Sequence, residues 1–416
     1  MNDTRFKILY IIFIVICILY PSKYIVGPIS IRHIISLIML ASCLLEGFRA
    51  DKYLFLYCGF LLFLGISSVA TGFGGTFFNK LFGTYLPIVA AYASTFLLIK
   101  KFEGTNLLVW TIVCIGVLNA IVTIGQFFNW TVVDELCSIL RFEIDEKYTT
   151  ISDIKESEGI TLPGLFNSVE NGYFLSATAL LVLFNKKSSF YLNVLLWSIV
   201  MAASFLAQER AGFMLAIIFS AFIIGKHFIS GNNVVGFIVV TILFVVCAYF
   251  IINHIDDLLS SDFRYIKGFE EGNRGEYRYI TWRYIFNNPM GGFYEFDSTG
   301  YNHPHNFILN AFLFGGFFGG ICVLLLLTLQ IIRIIPYLYR NTKSEYSQWA
   351  FIWGLMYVDY SIVSMVHNAS IVQGIMPFFI WWGAFLAYAE FKEEEKTFEV
   401  INERDEDIIF YTKISR

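Results

Sequence analysis

The residues able to do chemistry in this chain are few and fall in a handful of polar steps. Two of the six histidines stand in Tyr301-Asn302-His303-Pro304-His305-Asn306. An imidazole takes a proton from a hydroxyl near neutral pH, and Pro304 fixes the backbone so that the two rings are held apart. Taken alone, the step serves equally as a polar helix cap or a weak metal site. Metal binding is the weakest of these. His303 and His305 are too close in sequence to share one helix face, and Asp256, Asp257 and Asp297 are scattered rather than set at ligand spacing. Neither a metal nor a cofactor is expected.

Three further steps bear on charge and hydroxyl recognition. The stretch from Glu270 to Asn287 is rich in helix formers and aromatics and is stopped by Pro289, Gly291 and Gly292. In such a helix Arg274 and Arg278 lie one turn apart and point the same way, which makes a two-guanidinium surface suited to a diphosphate. Ala207-Gln208-Glu209-Arg210-Ala211-Gly212 is a charged step between apolar stretches with Arg210 at a helix start. An ordinary interfacial arginine, snorkelling or paired with Glu209, is the alternative there. Gly164-Leu165-Phe166-Asn167-Ser168-Val169-Glu170-Asn171-Gly172 puts Asn167, Glu170 and Asn171 at a helix N-terminus. Capping by Asn167 or Ser168 is favoured over binding of an anion or sugar hydroxyls, because Glu170 repels an anion unless it is protonated or paired. His367-Asn368 is isolated and reads as packing. Gly315-Gly316-Phe317-Phe318-Gly319-Gly320 lies within an apolar run, so its glycines read as helix packing rather than a phosphate cradle. No Walker or dinucleotide motif fits.

What must position these residues is a membrane. Of 416 residues 57% are hydrophobic and 15% charged, well short of the roughly 25% charge of a soluble domain. About 12 apolar runs, each about 17 to 25 residues long, recur with starts near residues 8, 31, 53, 81, 106, 166, 190, 212, 234, 306, 347 and 371. The first follows Arg5 and Lys7 and has no small-residue cleavage site before the next, so it reads as a retained helix. All cysteines except Cys137 lie inside apolar runs, which leaves no disulfide framework.

With the N-terminus in the cytoplasm, Arg49, Lys52, Lys100, Lys101, Lys186, Lys187, Lys226, Arg333, Arg340 and Lys343 fall on short inner loops. The outer loops hold little beyond Lys23, Lys80 and Arg210, and this asymmetry selects that orientation. Both termini are then cytoplasmic, and the two long hydrophilic segments 129–163 and 254–304 face outward. The expected organisation is an all-α polytopic membrane domain over 1–389 and an acidic cytoplasmic tail over 390–416.

In order and context these steps resemble the O-antigen ligase and polymerase superfamily. That family shows a His-Asn pair, nine residues, then Gly-x-x-Gly. Here His305-Asn306 is followed by Phe307 to Gly315 and then Gly316-Phe317-Phe318-Gly319. Upstream, the family has an arginine opening a loop helix that ends in an Asn-Pro-hydrophobic-Gly turn, matched by Arg274 and Asn288-Pro289-Met290-Gly291. The Gly164 to Gly172 segment also matches. The Arg210 step departs from the pattern, with Glu209 where a small polar residue is usual.

The resemblance covers about residues 160 to 325 and implies a GT-C-like membrane glycosyltransferase with outer-face loop helices in a bacterial inner membrane. Its donor is an undecaprenyl-diphosphate-linked oligosaccharide, and it uses no metal. Arg210, Arg274 and Arg278 then bind the diphosphate, His305 acts as general base, and His303, Asn306, Asn167, Glu170 and Asn171 support them. A surface-polysaccharide (O-antigen) polymerase, extending another lipid-linked repeat unit, is favoured over an O-antigen ligase acting on lipid A core, because there are two long outer segments. A chain-length regulator is a further partner of such polymerases, membrane lipids surround the chain, and no nucleic-acid partner is expected. A transporter or flippase is the reading from another class, opposed by the scarcity of charge inside the spans.

Overall fold

A computed structural model describes residues 3–19, 24–26, 29–140, 162–166, 168–185, 188–207, 210–230, 274–293, 296, 306–339, 344–365 and 376–391. His303, His305, Asn167, the run near 234 and the acidic tail from residue 392 lie outside the described residues, as do the side chains of Arg210 and Arg274.

The chain is mostly helical. Helix α1 (Asp3–Leu19) is followed by a short antiparallel hairpin of β1 (Tyr24–Val26) and β2 (Ile29–Ser30), then by α2 (Ile31–Leu45) and α3 (Lys52–Ala70). Next come α4 (Gly74–Lys80), a π-helical turn (Leu81–Tyr85), α5 (Leu86–Lys100), α6 (Thr105–Phe127) and α7 (Thr131–Leu140). After 162–166 stand α8 (Ser168–Phe184), α9 (Phe190–Leu206) and α10 (Arg210–Ser230). The chain resumes with α11 (Arg274–Asn287), α12 (Phe307–Tyr339), α13 (Glu345–Ser364) and α14 (376–391).

Among the described residues helices thus stand at the expected positions, and the run near 234 lies outside them. Four stretches, Lys52–Ala70, Gly74–Lys100, Thr105–Phe127 and Phe307–Tyr339, are long and apolar enough to cross a membrane, which marks the chain as membrane-associated. The hairpin and α7 are not among the expected elements. Helix α7 falls in the first long hydrophilic segment, where its signal is the i, i+4 pair Val133 and Cys137; both are buried against Val122 and Leu165.

Water-driven burial does not hold helices together in lipid, so close approach and side-chain fit carry the packing. The most extensive contact pairs α12 with α3. A Cβ on Gly315 would stand 3.2 Å from the Phe60 ring, so this glycine lets the two helices close, as expected from the sequence. The interior of α13 and α14 is aromatic, with Trp353, Tyr357, Tyr360, Trp381 and Trp382 all buried and interleaved. Large apolar side chains also point outward, among them Phe55 and Leu62 on α3 and Leu324 and Ile332 on α12. An apolar exterior around an apolar interior suits acyl chains.

Two features fix the ends of α2, α3 and α5 that lie together. The Asp51 carboxylate caps α3 by accepting from Leu54 N (2.8 Å) and also accepts the Tyr92 hydroxyl. Lys101 Nζ lies 2.8 Å from Glu46 Oε2, and that hydrogen bond holds the Glu46 carboxyl below its usual range.

Candidate functional site at one end of the bundle

Chain direction alternates through the bundle, so Ala70, Phe127, Ser168, Leu206, Arg210, Asn306 and Ser364 come to one end. The polar steps gather there in two groups joined by α13.

The first group is built on the segment 162–166. Gly164 has φ +57, a value that favours glycine, and its backbone sits among side-chain amides. Its N–H donates to Gln126 Oε1 (2.8 Å) and its carbonyl accepts from Gln126 Nε2 (2.9 Å). Leu165 N donates to Asn119 Oδ1 (2.8 Å), and Asn119 Nδ2 donates to Asn171 Oδ1 (2.7 Å). Asn171 Nδ2 in turn donates to the Leu162 carbonyl (2.7 Å) and to Thr123 Oγ1 (3.1 Å). Asn119, Thr123, Gln126 and Asn171 are all buried, so this satisfied network straps an irregular segment onto α6 and α8.

Leu162 N also donates to the Ala207 carbonyl (3.0 Å), which brings the Gly164 step beside the residue that opens the Gln208-Glu209-Arg210 step. Asn171 is therefore a positioning residue. Glu170 is half-buried and engaged in the first turn of α8, where the positive end of the helix favours a carboxylate.

An Asn171→Leu chain is expected to lose about 3 kcal/mol, because Asn119 Nδ2 and the Leu162 carbonyl are left buried without partners at about 1 to 3 kcal/mol each. Thermal unfolding in detergent checks this, and a midpoint unchanged from the parent would contradict the network's role.

The second group is a rung exchanged between α12 and the turn that follows α11. In an unbroken helix Phe317 N would donate to the Leu313 carbonyl. Here Gly316 has φ 64 and ψ −166, and the rung is open. Gly292 N donates to Leu313 O (3.0 Å) and Phe317 N donates to Pro289 O (2.8 Å), so the Asn288-Pro289-Met290-Gly291 turn occupies the gap. The expected stop of α11 is observed, and the expectation that all the central glycines serve helix packing is corrected at Gly316. Arg278 is half-buried and engaged on α11, one turn after Arg274, whose backbone opens that helix.

Asn306 caps α12 by accepting from Leu309 N (3.0 Å), and its Nδ2 donates to the Met365 carbonyl (3.5 Å) at the end of α13. The helix-cap reading of this step thus holds for Asn306. One turn further in, Asn310 is fully buried, and among the described residues no hydrogen-bond partner stands within reach of either amide atom. On the other side of α13, Ser176 of α8 donates to Asp359 Oδ2 (2.8 Å), and Tyr173 meets Tyr360 edge-on at 5.6 Å between ring centroids. Asp359 is fully buried. Helix α13 therefore ties the Asn171 group to the Asn306 group, through residues that sequence reasoning missed. Their signal was a lone acid and a lone amide inside apolar runs, each of which carries a large insertion cost unless paired.

Among the described residues no cluster of three or more histidine, cysteine or acidic side chains could hold a metal ion. Comparison of the chain with family models, with curated proteins and with solved structures finds no match. The fold and site define the class as a helical, membrane-associated protein with a buried amide network at one end of its bundle.

Proposed function

We propose that this chain is a metal-independent membrane glycosyltransferase of bacterial surface-polysaccharide assembly. It transfers a glycan from an undecaprenyl-diphosphate carrier to the sugar hydroxyl of another lipid-linked repeat unit. The observation that supports the reading is the rung exchanged at Gly316. It joins the end of α11, the helix opened by Arg274, to the helix that begins directly after His305-Asn306, so two motifs distant in sequence become one unit.

The chemistry asks little beyond that. A diphosphate already leaves well, so the protein binds its charge and takes one proton from the acceptor. In this proposal Arg274 and Arg278, with Arg210, hold the diphosphate. His305 takes the proton, and Asn306 and His303 support it.

Arg274→Ala is expected to raise the donor concentration needed for half-maximal transfer by about tenfold or more, the loss of one charge-assisted contact worth about 1.5 to 3 kcal/mol. Assays in proteoliposomes over a range of lipid-diphosphate donor check this, and an unchanged donor dependence would remove Arg274 from the site.

The buried Asp359 favours a second reading as a transporter, since it is an ionisable group inside a helix of the bundle. Such a protein would depend on Asp359 and be indifferent to His305.

A further inference from the structure

Helix α11 presents three stripes to three environments. Thr281 and Ile285 are buried, and Ile285 packs with Phe312 and Leu313 of α12. Tyr279, Trp282 and Phe286 are 66%, 45% and 77% exposed, and at 3.6 residues per turn they fall within about 60° of arc. Arg283 and Asn287 are exposed on the adjoining stripe. A helix with one face on protein, one apolar and open, and one polar and open has the division of an element lying along a membrane boundary.

The open apolar face does not end at α11. Trp282 stacks obliquely near Phe286 (5.3 Å between ring centroids) and approaches Phe312 (6.3 Å), which neighbours Phe317 (6.0 Å). Phe317 and Phe318 are more than half exposed, and Phe318 stacks on Phe63 of α3 (5.4 Å). Met290, 50% exposed in the turn, continues the same apolar surface. The stripe is thus continuous with the outward apolar surface of α3 and α12, two of the helices long enough to span a membrane. Its level is also fixed. A Cβ on Gly291 would stand 2.9 Å from Ser67 Oγ, three residues before the end of α3, so the turn docks about 5 Å from where that span ends.

We propose that α11 is an interfacial helix whose Tyr279–Trp282–Phe286 face is seated in the phospholipid of the adjacent leaflet, at the boundary of headgroups and acyl chains, with Arg283 and Asn287 turned to water. Tyr279 and Trp282 fit that boundary, where rings with one apolar and one polar edge collect, and Phe286 adds an apolar ring beside them. The inference rests on the membrane-spanning helices and not on glycosyl transfer.

The test places a photoreactive benzophenone amino acid at position 286 or at position 287 of the otherwise unchanged full chain. Native membranes are irradiated, and the purified protein is weighed intact. The proposal expects the mass of one phospholipid to be added at 286 at least about fivefold more often than at 287. Equal yields at the two positions would overturn it. So would capture of a second copy or of the chain itself at 286, or an adduct with the mass of an isoprenoid carrier in place of phospholipid.

Discussion

Gly316→Ala is expected to destabilise the docked turn by about 3 kcal/mol or more, and the sign is the opposite of the usual one. In a helix interior alanine is favoured over glycine by about 1 kcal/mol. At Gly316, however, φ 64 and ψ −166 belong to a region that only glycine occupies without strain of about 1 to 3 kcal/mol. The added Cβ would stand 2.4 Å from Met290 C and 2.6 Å from the carbonyl oxygens of Met290 and Pro289. These are backbone atoms, so no side-chain rotation relieves the overlap. The substituted α12 gains by closing its own rung, Phe317 N to Leu313 O, and the turn is expelled together with the anchored end of α11. Hydrogen exchange is expected to rise at Gly292 and through α11 while the rest of α12 stays protected. Gly319→Ala is the matched control. Its nearest neighbours would lie at 3.4 Å and beyond, an ordinary contact, so no loss is expected there. Equal behaviour of the two variants would contradict the exchanged rung.

His305→Ala is expected to lower transfer by at least about hundredfold, the lower range of what a positioned general base contributes, without removing the protein from the membrane. The adjoining Asn306 already has a structural duty at the cap of α12 and at the Met365 carbonyl. Asn306→Ala is therefore expected to shift stability as well as activity, whereas His305→Ala shifts activity alone. If both variants keep parental transfer, the base lies elsewhere and the motif is only a cap.

Much of the architecture was legible because membrane spans announce themselves by length and apolarity, and α11 was legible because Pro289 and two glycines stop it. The break at Gly316 was not. A Gly-Gly pair inside an apolar run looks the same whether it admits a neighbouring helix, as at Gly315, or a turn from elsewhere in the chain. Which one applies is decided by Pro289 and Gly292, more than twenty residues away in sequence. The network around Gly164 was hidden for the same reason: Asn119, Thr123 and Gln126 precede it by some forty residues and show no local pattern beyond sharing one face of α6. Asp359 escaped notice because a single acid in a span reads as an exception until Ser176 is found opposite it. The three arginines and two histidines were singled out by residue type, spacing and the family resemblance, and of these the structure describes the side chain of Arg278 only.

Polymerisation is tested most directly by deleting the gene in its host and displaying the surface polysaccharide on a gel, with complementation by the parental chain and by His305→Ala. For a polymerase, deletion is expected to collapse the ladder to a core carrying a single repeat unit, and the parental chain is expected to restore the ladder while His305→Ala does not. Loss of every repeat with long polymer held on the lipid carrier would point to ligase in place of polymerase; a ladder unchanged by deletion would rule out glycan polymerisation by this chain, and one restored in full by His305→Ala would rule out His305 as the base.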